Sequence, residues 1–202
     1  MLYNSIHPTI LLIMGLMSTS TGGWGGLNQT QTRKIMAFSS IAHLGWMATI
    51  LTLNPNMMLL NLLLYIMMTT TTFLMLMFTS SKTLKDLTTS WTISPPITAL
   101  MLMLLMSLGG LPPLTGFIPK WFILQELATH NLPTTAIILA ISALLSLFFY
   151  LRLSYVMTLT MFPTSTQTTH KWRFQPKLST TMMSTLLLLS LLLLPLAPMM
   201  TY

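Results

Sequence analysis

One lysine in this chain, Lys120, stands inside an apolar stretch, four residues after the string Gly109-Gly110-Leu111-Pro112-Pro113-Leu114-Thr115-Gly116. A charged lysine at the bilayer centre costs about 2.5–3.5 kcal/mol on insertion scales. A penalty of that size brings the neutral amine within reach of the charged one, which a group that takes up and releases protons requires. The alternative is a lysine that snorkels to an interface or stays permanently paired. His43, in Ser39-Ser40-Ile41-Ala42-His43-Leu44-Gly45-Trp46, reads equally as a neutral hydrogen-bonding group between helices or as a proton relay. Glu126 follows Lys120 by six residues, about 9 Å along a helix and roughly 240° round it, so direct pairing is not expected. It is either a solvated interfacial carboxylate or an exit-side proton acceptor. Arg152, in Phe148-Phe149-Tyr150-Leu151-Arg152-Leu153-Ser154-Tyr155, lies about two turns from the basic end of its segment and can snorkel or pair structurally.

The elements that must position these groups follow from the apolar runs. Roughly 20 apolar residues cross ~30 Å of hydrocarbon as a helix. Six segments meet that need: 8–22, 35–53, 57–79, 95–129, 133–160 and 178–199, the last ended early by Pro195 and Pro198. Residues 95–129 are too long for one crossing, since their 35 residues would reach ~52 Å as a continuous helix. The break is expected at Gly109, Gly110, Pro112, Pro113 and Gly116. Two prolines remove two backbone donors and the glycines permit turns. A second piece restarts near Phe117, capped by Thr115 or Gly116, with Pro119 in or near its first turn. Unwound backbone at membrane depth survives only when buried in protein or lining a wet cavity, and broken helices recur along ion pathways. A loop dipping near the surface is the bland alternative; Lys120 beside the gap favours a pathway.

Composition agrees with an all-α, polytopic membrane helix bundle of about six transmembrane segments, one of them broken. Nine basic and two acidic residues among 202 cannot solvate a soluble globule, which carries about 25% charged residues. The surface must therefore meet the lipid bilayer, and mean hydropathy is +0.74. The net charge of +7 does not imply nucleic acid, because the basic residues are scattered between apolar runs rather than clustered. Arg33, Lys34, Lys82, Lys85, Lys171, Arg173 and Lys177 all fall in the loops 23–34, 80–94 and 161–177, which six crossings place on one side. The loops 54–56 and 130–132 and both termini have none. The positive-inside rule then puts the basic loops in the matrix or cytoplasm and the chain ends outside. Asn61 and Thr69 to Thr72 are expected to hydrogen-bond between helices or back to their own helix. Without cysteine the chain holds no disulfide, thiolate metal site or iron–sulfur cluster. It has no phosphate-binding loop, and one midplane histidine cannot ligate haem twice. The skew to 20 Met, 31 Thr and 44 Leu against a single Val has no packing rationale and matches the bias of an animal mitochondrial genome.

Three blocks carry a resemblance: GGWGGLNQTQTRKIMAFSSIAHLGWM at 22–47, GGLPPLTGFIPKWFILQE at 109–126 and FFYLRLSY at 148–155. They resemble the subunit 2 family of mitochondrial NADH:ubiquinone oxidoreductase, respiratory complex I, among its antiporter-like proton-translocating subunits. The resemblance implies that residues 8–160 form the second of two inverted five-helix repeats and 178–199 a closing helix, in one membrane domain. Lys120 matches the broken-helix lysine assigned to proton transfer, and His43 a polar residue near the hydrated central axis. NADH, FMN, iron–sulfur clusters and ubiquinone belong to the rest of the complex, and the partners are other membrane-arm subunits, protons and internal water. The location implied is the mitochondrial inner membrane, with the termini on the intermembrane-space side. Family members carry a preceding block of helices with the first broken helix, so the chain is expected to be either a partial record or a truncated form. Two rivals remain: a cation/proton antiporter subunit, and a non-conducting structural subunit of the membrane arm.

Overall fold

Apolar runs punctuated by Asn-Pro and Asn-Leu-Pro produce helices joined by tight turns. The computed structural model describes residues 8–112, 114–159 and 181–192, and every regular element among them is a helix. In order these are α1 (Pro8–Gly26), α2 (Thr32–Leu51), α3 (Pro55–Phe78), α4 (Leu84–Ile93), α5 (Pro95–Gly109), α6 (Phe117–Thr129), α7 (Pro133–Leu159) and α8 (Thr181–Leu192). By length and apolarity α2, α3 and α7 can each cross a membrane alone, while α5 is apolar but shorter. The starts are local chemistry. Asn54 accepts from the Asn56 amide at 3.2 Å ahead of Pro55, and prolines also open α5 and α7, where a missing amide costs nothing. Asn131 turns the chain into α7 with φ 58°, a left-handed conformation that asparagine tolerates.

Two expectations need correction. The first segment does not stop at residue 22; α1 runs on through Gly26. Its glycines are packing surface rather than a loop. Gly15, Thr19, Gly22 and Gly26 share one buried face, and a Cβ on Gly22 would meet Ala42 N at 2.6 Å, one on Gly26 the Phe149 ring at 2.7 Å. Small residues let α1 lie backbone to backbone on α2 and against α7, the close approach that membrane helices use in place of a hydrophobic drive. The second correction concerns 80–94, read as a loop, which contains α4. Thr83 and Asp86 form a reciprocal capping box: the Asp86 carboxylate accepts from the Thr83 amide at 2.8 Å, and Thr83 Oγ1 from the Asp86 amide at 3.4 Å. The Thr-x-x-Asp spacing was the available signal.

Those amides, Thr83 first and then Lys82, hold the Asp86 carboxyl below its usual 3.8. A depressed carboxylate lends stability that is complete above about pH 3.8 and fades as pH falls through the lower folded value. The start of α4 is therefore expected to lose amide protection only below pH ~3.8, and Asp86→Asn to remove that dependence. Hydrogen exchange corrected for intrinsic rates checks both.

The loops before α2 and α4 are joined by the isolated bridge between Gln31 and Thr83 and by Thr32 donating to Lys82 O from its amide (3.2 Å) and hydroxyl (3.0 Å). Arg33, Lys34, Lys82 and Lys85 are thereby gathered at one end of the bundle. Lys171, Arg173, Lys177, Pro195 and Pro198 lie outside the described residues. Arg152 donates from Nη1 to Leu27 O at 2.8 Å, a structural tie between α7 and the end of α1. The threonines of α3 bond within their own helix, Thr69 to Tyr65 O at 2.8 Å and Thr72 to Thr69 O at 2.8 Å.

Among the described residues the apolar interior forms two clusters rather than one. The larger, with Ile35, Met36, Met75, Leu87, Met101, Leu104, Phe149 and Met157, fills the basic-loop half. The smaller, with Trp46, Ile50, Ile123, Leu127 and Leu139, fills the half nearer the 54–56 and 130–132 turns. The polar groups of interest lie between them.

Candidate functional site

The gap between α5 and α6 is built by Gly110. With φ 83° it ends α5 in a left-handed cap, its amide bonding Ser107 O (2.9 Å) and that of Leu111 reaching Met106 O (3.3 Å), the paired pattern of a glycine-terminated helix. Leu111, Pro112, Leu114 and Thr115 then run without helix to Gly116; the expected break residue Pro113 lies outside the described residues. The unwound stretch is exposed at Pro112, half-buried at Leu111 and Leu114, and buried at Thr115 and Gly116, where its polar groups are satisfied. Gly116 N donates to Ser107 Oγ (3.3 Å), Ser107 Oγ and Thr115 Oγ1 are 3.1 Å apart, and Thr115 Oγ1 donates to Ser190 O of α8 at 2.7 Å. α8 thus covers the gap, against α3 and α5. At Thr115 and Gly116 this is the protein-buried setting that irregular backbone at membrane depth requires.

Lys120, in the first turn of α6, folds back across the gap, and Nζ donates to Gly109 O at 3.0 Å. That carbonyl belongs to the last turn of α5, where unpaired carbonyls carry the negative end of the helix dipole. It can accept from a neutral amine as well as from an ammonium, so the tether holds in both protonation states. Gly110 leaves room for it: a Cβ there would lie 2.9 Å from Nζ.

Lys120 and His43 line one small cavity, together with Trp46, Asn61, Tyr65 and Pro119. Its volume of about 10 Å³ suits roughly one water. The His43 and Tyr65 rings lie 4.7 Å apart, tilted by 31°. Tyr65 escaped the sequence reading, although Asn61 and Tyr65 stand four apart on one face of α3, a polar pair in an apolar run. Glu126 is not brought to this cavity. It sits at the far end of α6, 3.5 Å from Asn54 Nδ2 and 3.9 Å from His130 Nε2, with its side chain 27% exposed.

The geometry can do one kind of chemistry: pass a proton between an amine, an imidazole and a phenol around a water-sized space between two dry clusters. Comparison with known proteins identifies the family. Residues 1–146 match the family model for the transmembrane part of NADH:quinone oxidoreductase and Mrp antiporters, and 147–201 match that for the NADH dehydrogenase subunit 2 C-terminus. NADH-ubiquinone oxidoreductase chain 2 of Sylvisorex johnstoni is 53% identical over 198 residues, covering 98% of this chain and 57% of that relative. The chain 2 of Tetraodon nigroviridis is 55% identical over 192 residues, 95% of this chain and 55% of the relative. The chain spans a little over half the length of the curated relatives it matches. Among solved structures, respiratory complex I from Thermus thermophilus with bound aureothin matches with TM-score 0.72 and 26% identity over 94% of this chain and 45% of that one. The Mrp complex from Dietzia sp. DQ12-45-1b shares the fold, with TM-score 0.64, 16% identity and coverage of 81% and 31%. With the first model matching 146 of its 202 residues, this chain belongs to the NADH:quinone oxidoreductase/Mrp antiporter transmembrane family.

Proposed function

We propose that this chain is the second-repeat portion of a membrane-arm subunit of respiratory complex I, and that it carries protons through Lys120 as NADH is oxidised by ubiquinone. The observation that carries the reading is Lys120 Nζ tethered to Gly109 O across the gap in the helix, beside the cavity it shares with His43. An amine so placed can accept a proton, hold it near a helix C-terminus and hand it on through a bound water or the imidazole. Residues 8–160 would be the five-helix repeat and 178–199 the closing helix. NADH, FMN, iron–sulfur clusters and ubiquinone would be held by other subunits. In the inner membrane, four basic residues gathered at one end support a matrix-facing orientation for that end. Glu126, beside Asn54 at the opposite end, is placed to receive protons leaving the site, the role we assign it. The non-conducting scaffold is the rival.

The experiment is the number of protons moved per electron by the assembled complex in sealed vesicles, with the full-length subunit carrying His43→Gln or Lys120→Met. Both are expected to lower the ratio, His43→Gln the less, because a glutamine still orders water but does not titrate. An unchanged ratio in both leaves the scaffold.

A further inference from the structure

Tyr150 of α7 is the largest fully buried side chain among the described residues, 1% exposed within the apolar cluster of the basic-loop half, and its hydroxyl has no hydrogen-bond partner among them. A phenylalanine would fill that space without stranding an oxygen. The surroundings give the oxygen a use. Tyr150 packs directly on Gly109, whose carbonyl holds Lys120. Its hydroxyl lies within reach of Ser39, which is buried on α2 and donates to Met36 O at 2.7 Å. Ser39 stands four residues before His43, on the same face of α2. Tyr65, against the His43 ring, interacts in turn with Ser40. A line of hydroxyls therefore leads from the Lys120 cavity into the apolar cluster that separates it from the basic-loop end.

We propose that the Tyr150 hydroxyl is a proton-relay group, linking water at the basic-loop end to the Lys120 cavity by way of Ser39 and Tyr65. The proposal rests on the reading of Lys120 as a proton carrier. In each passage the phenol O–H releases its proton to the oxygen of Ser39 or of a bridging water as it takes one from a water on its other side. One O–H bond breaks as another forms, and the ring ends neutral. The Ser39 hydroxyl turns from Met36 O to take part, then returns.

The test uses the assembled complex in sealed vesicles, with Tyr150→Phe, Ser39→Ala and Lys120→Met in the full-length subunit. Unfolding temperature, electron transfer, proton movement and the solvent isotope effect on proton movement are measured together. Tyr150→Phe is expected to leave the unfolding temperature at or above that of the unmodified complex. The proton movement that depends on this subunit should fall roughly fivefold, with an altered isotope effect, since a hydroxyl step is removed. Ser39→Ala carries the same expectation should the Phe variant assemble poorly. If Lys120→Met stops the proton movement that depends on this subunit while both hydroxyl variants match the unmodified complex in rate and isotope effect, the relay is overturned and the Lys120 reading stands. If Lys120→Met moves protons normally, that reading falls and the relay with it.

Discussion

Lys120→Met is expected to abolish the proton movement that depends on this subunit while the complex still assembles. Methionine matches lysine in length and flexibility and fills the same space. It leaves Gly109 O without its donor, at a cost of about 1–3 kcal/mol for a buried acceptor. It also removes a half-buried charge whose insertion at the bilayer centre costs about 2.5–3.5 kcal/mol. The two nearly cancel, so assembly and unfolding temperature should change little. Function should not survive so well, because a positioned acid–base group contributes about 10²- to 10⁴-fold to the transfer it serves. Protons per electron in sealed vesicles, with electron transfer recorded in parallel, measure the loss. Lys120→Arg separates charge from exchange. Arginine keeps the positive charge beside Gly109 O but does not release a proton in proteins. A static counter-ion to the α5 carbonyls would tolerate Arg, whereas a carrier would fail with either residue. Full proton movement in Lys120→Met would reduce this chain to a scaffold.

Much of this site was legible from residue type alone. A lysine in hydrocarbon, two glycines and two prolines in a 35-residue apolar stretch, and a histidine midway along a span are each costly where they stand, and cost is what a sequence displays. Less visible were features whose meaning depends on a neighbour. Gly23, Gly25 and Gly26 read as loop because nothing in the string says that Leu145, Phe38 and Phe149 press against them. The helix α4 was hidden in a polar stretch, and only the Thr83 and Asp86 spacing announced it. Tyr65 and Tyr150 look like ordinary amphipathic residues in sequence. Their interest comes from a histidine ring on one and an unpartnered hydroxyl on the other, both products of packing. The closure of the gap by Ser190, 75 residues from Thr115, is likewise tertiary.

Gly116→Ala is expected to do the most structural damage of any single methyl added to the gap. Gly116 has φ −69° and ψ −13°, a conformation any residue adopts, so backbone freedom is not why glycine is needed. Space is the reason. A Cβ would fall on the Ser107 carbonyl, a fixed part of the last turns of α5 rather than a side chain that can swing away. Relief requires the start of α6 to move off the end of α5, stretching the Gly116 N to Ser107 Oγ bond and the tether from Lys120 to Gly109 O together. Overpacking of this kind costs about 1–3 kcal/mol, and a backbone collision belongs at the upper end. Gly110→Ala makes the informative contrast. Its Cβ would meet Lys120 Nζ at 2.9 Å, the tip of a flexible chain that can yield, and the remaining penalty is the left-handed φ of 83°, about 1–2 kcal/mol. Yield of assembled complex and unfolding temperature should therefore fall further for Gly116→Ala than for Gly110→Ala. Whatever Gly116→Ala complex assembles should move protons slowly despite keeping Lys120, since a displacement of ~1 Å costs about 100-fold in a positioned reaction. The opposite ranking, or normal proton movement in the Gly116 variant, would mean that the juncture of α5 and α6 is looser than its contacts imply and that Lys120 is not held by it.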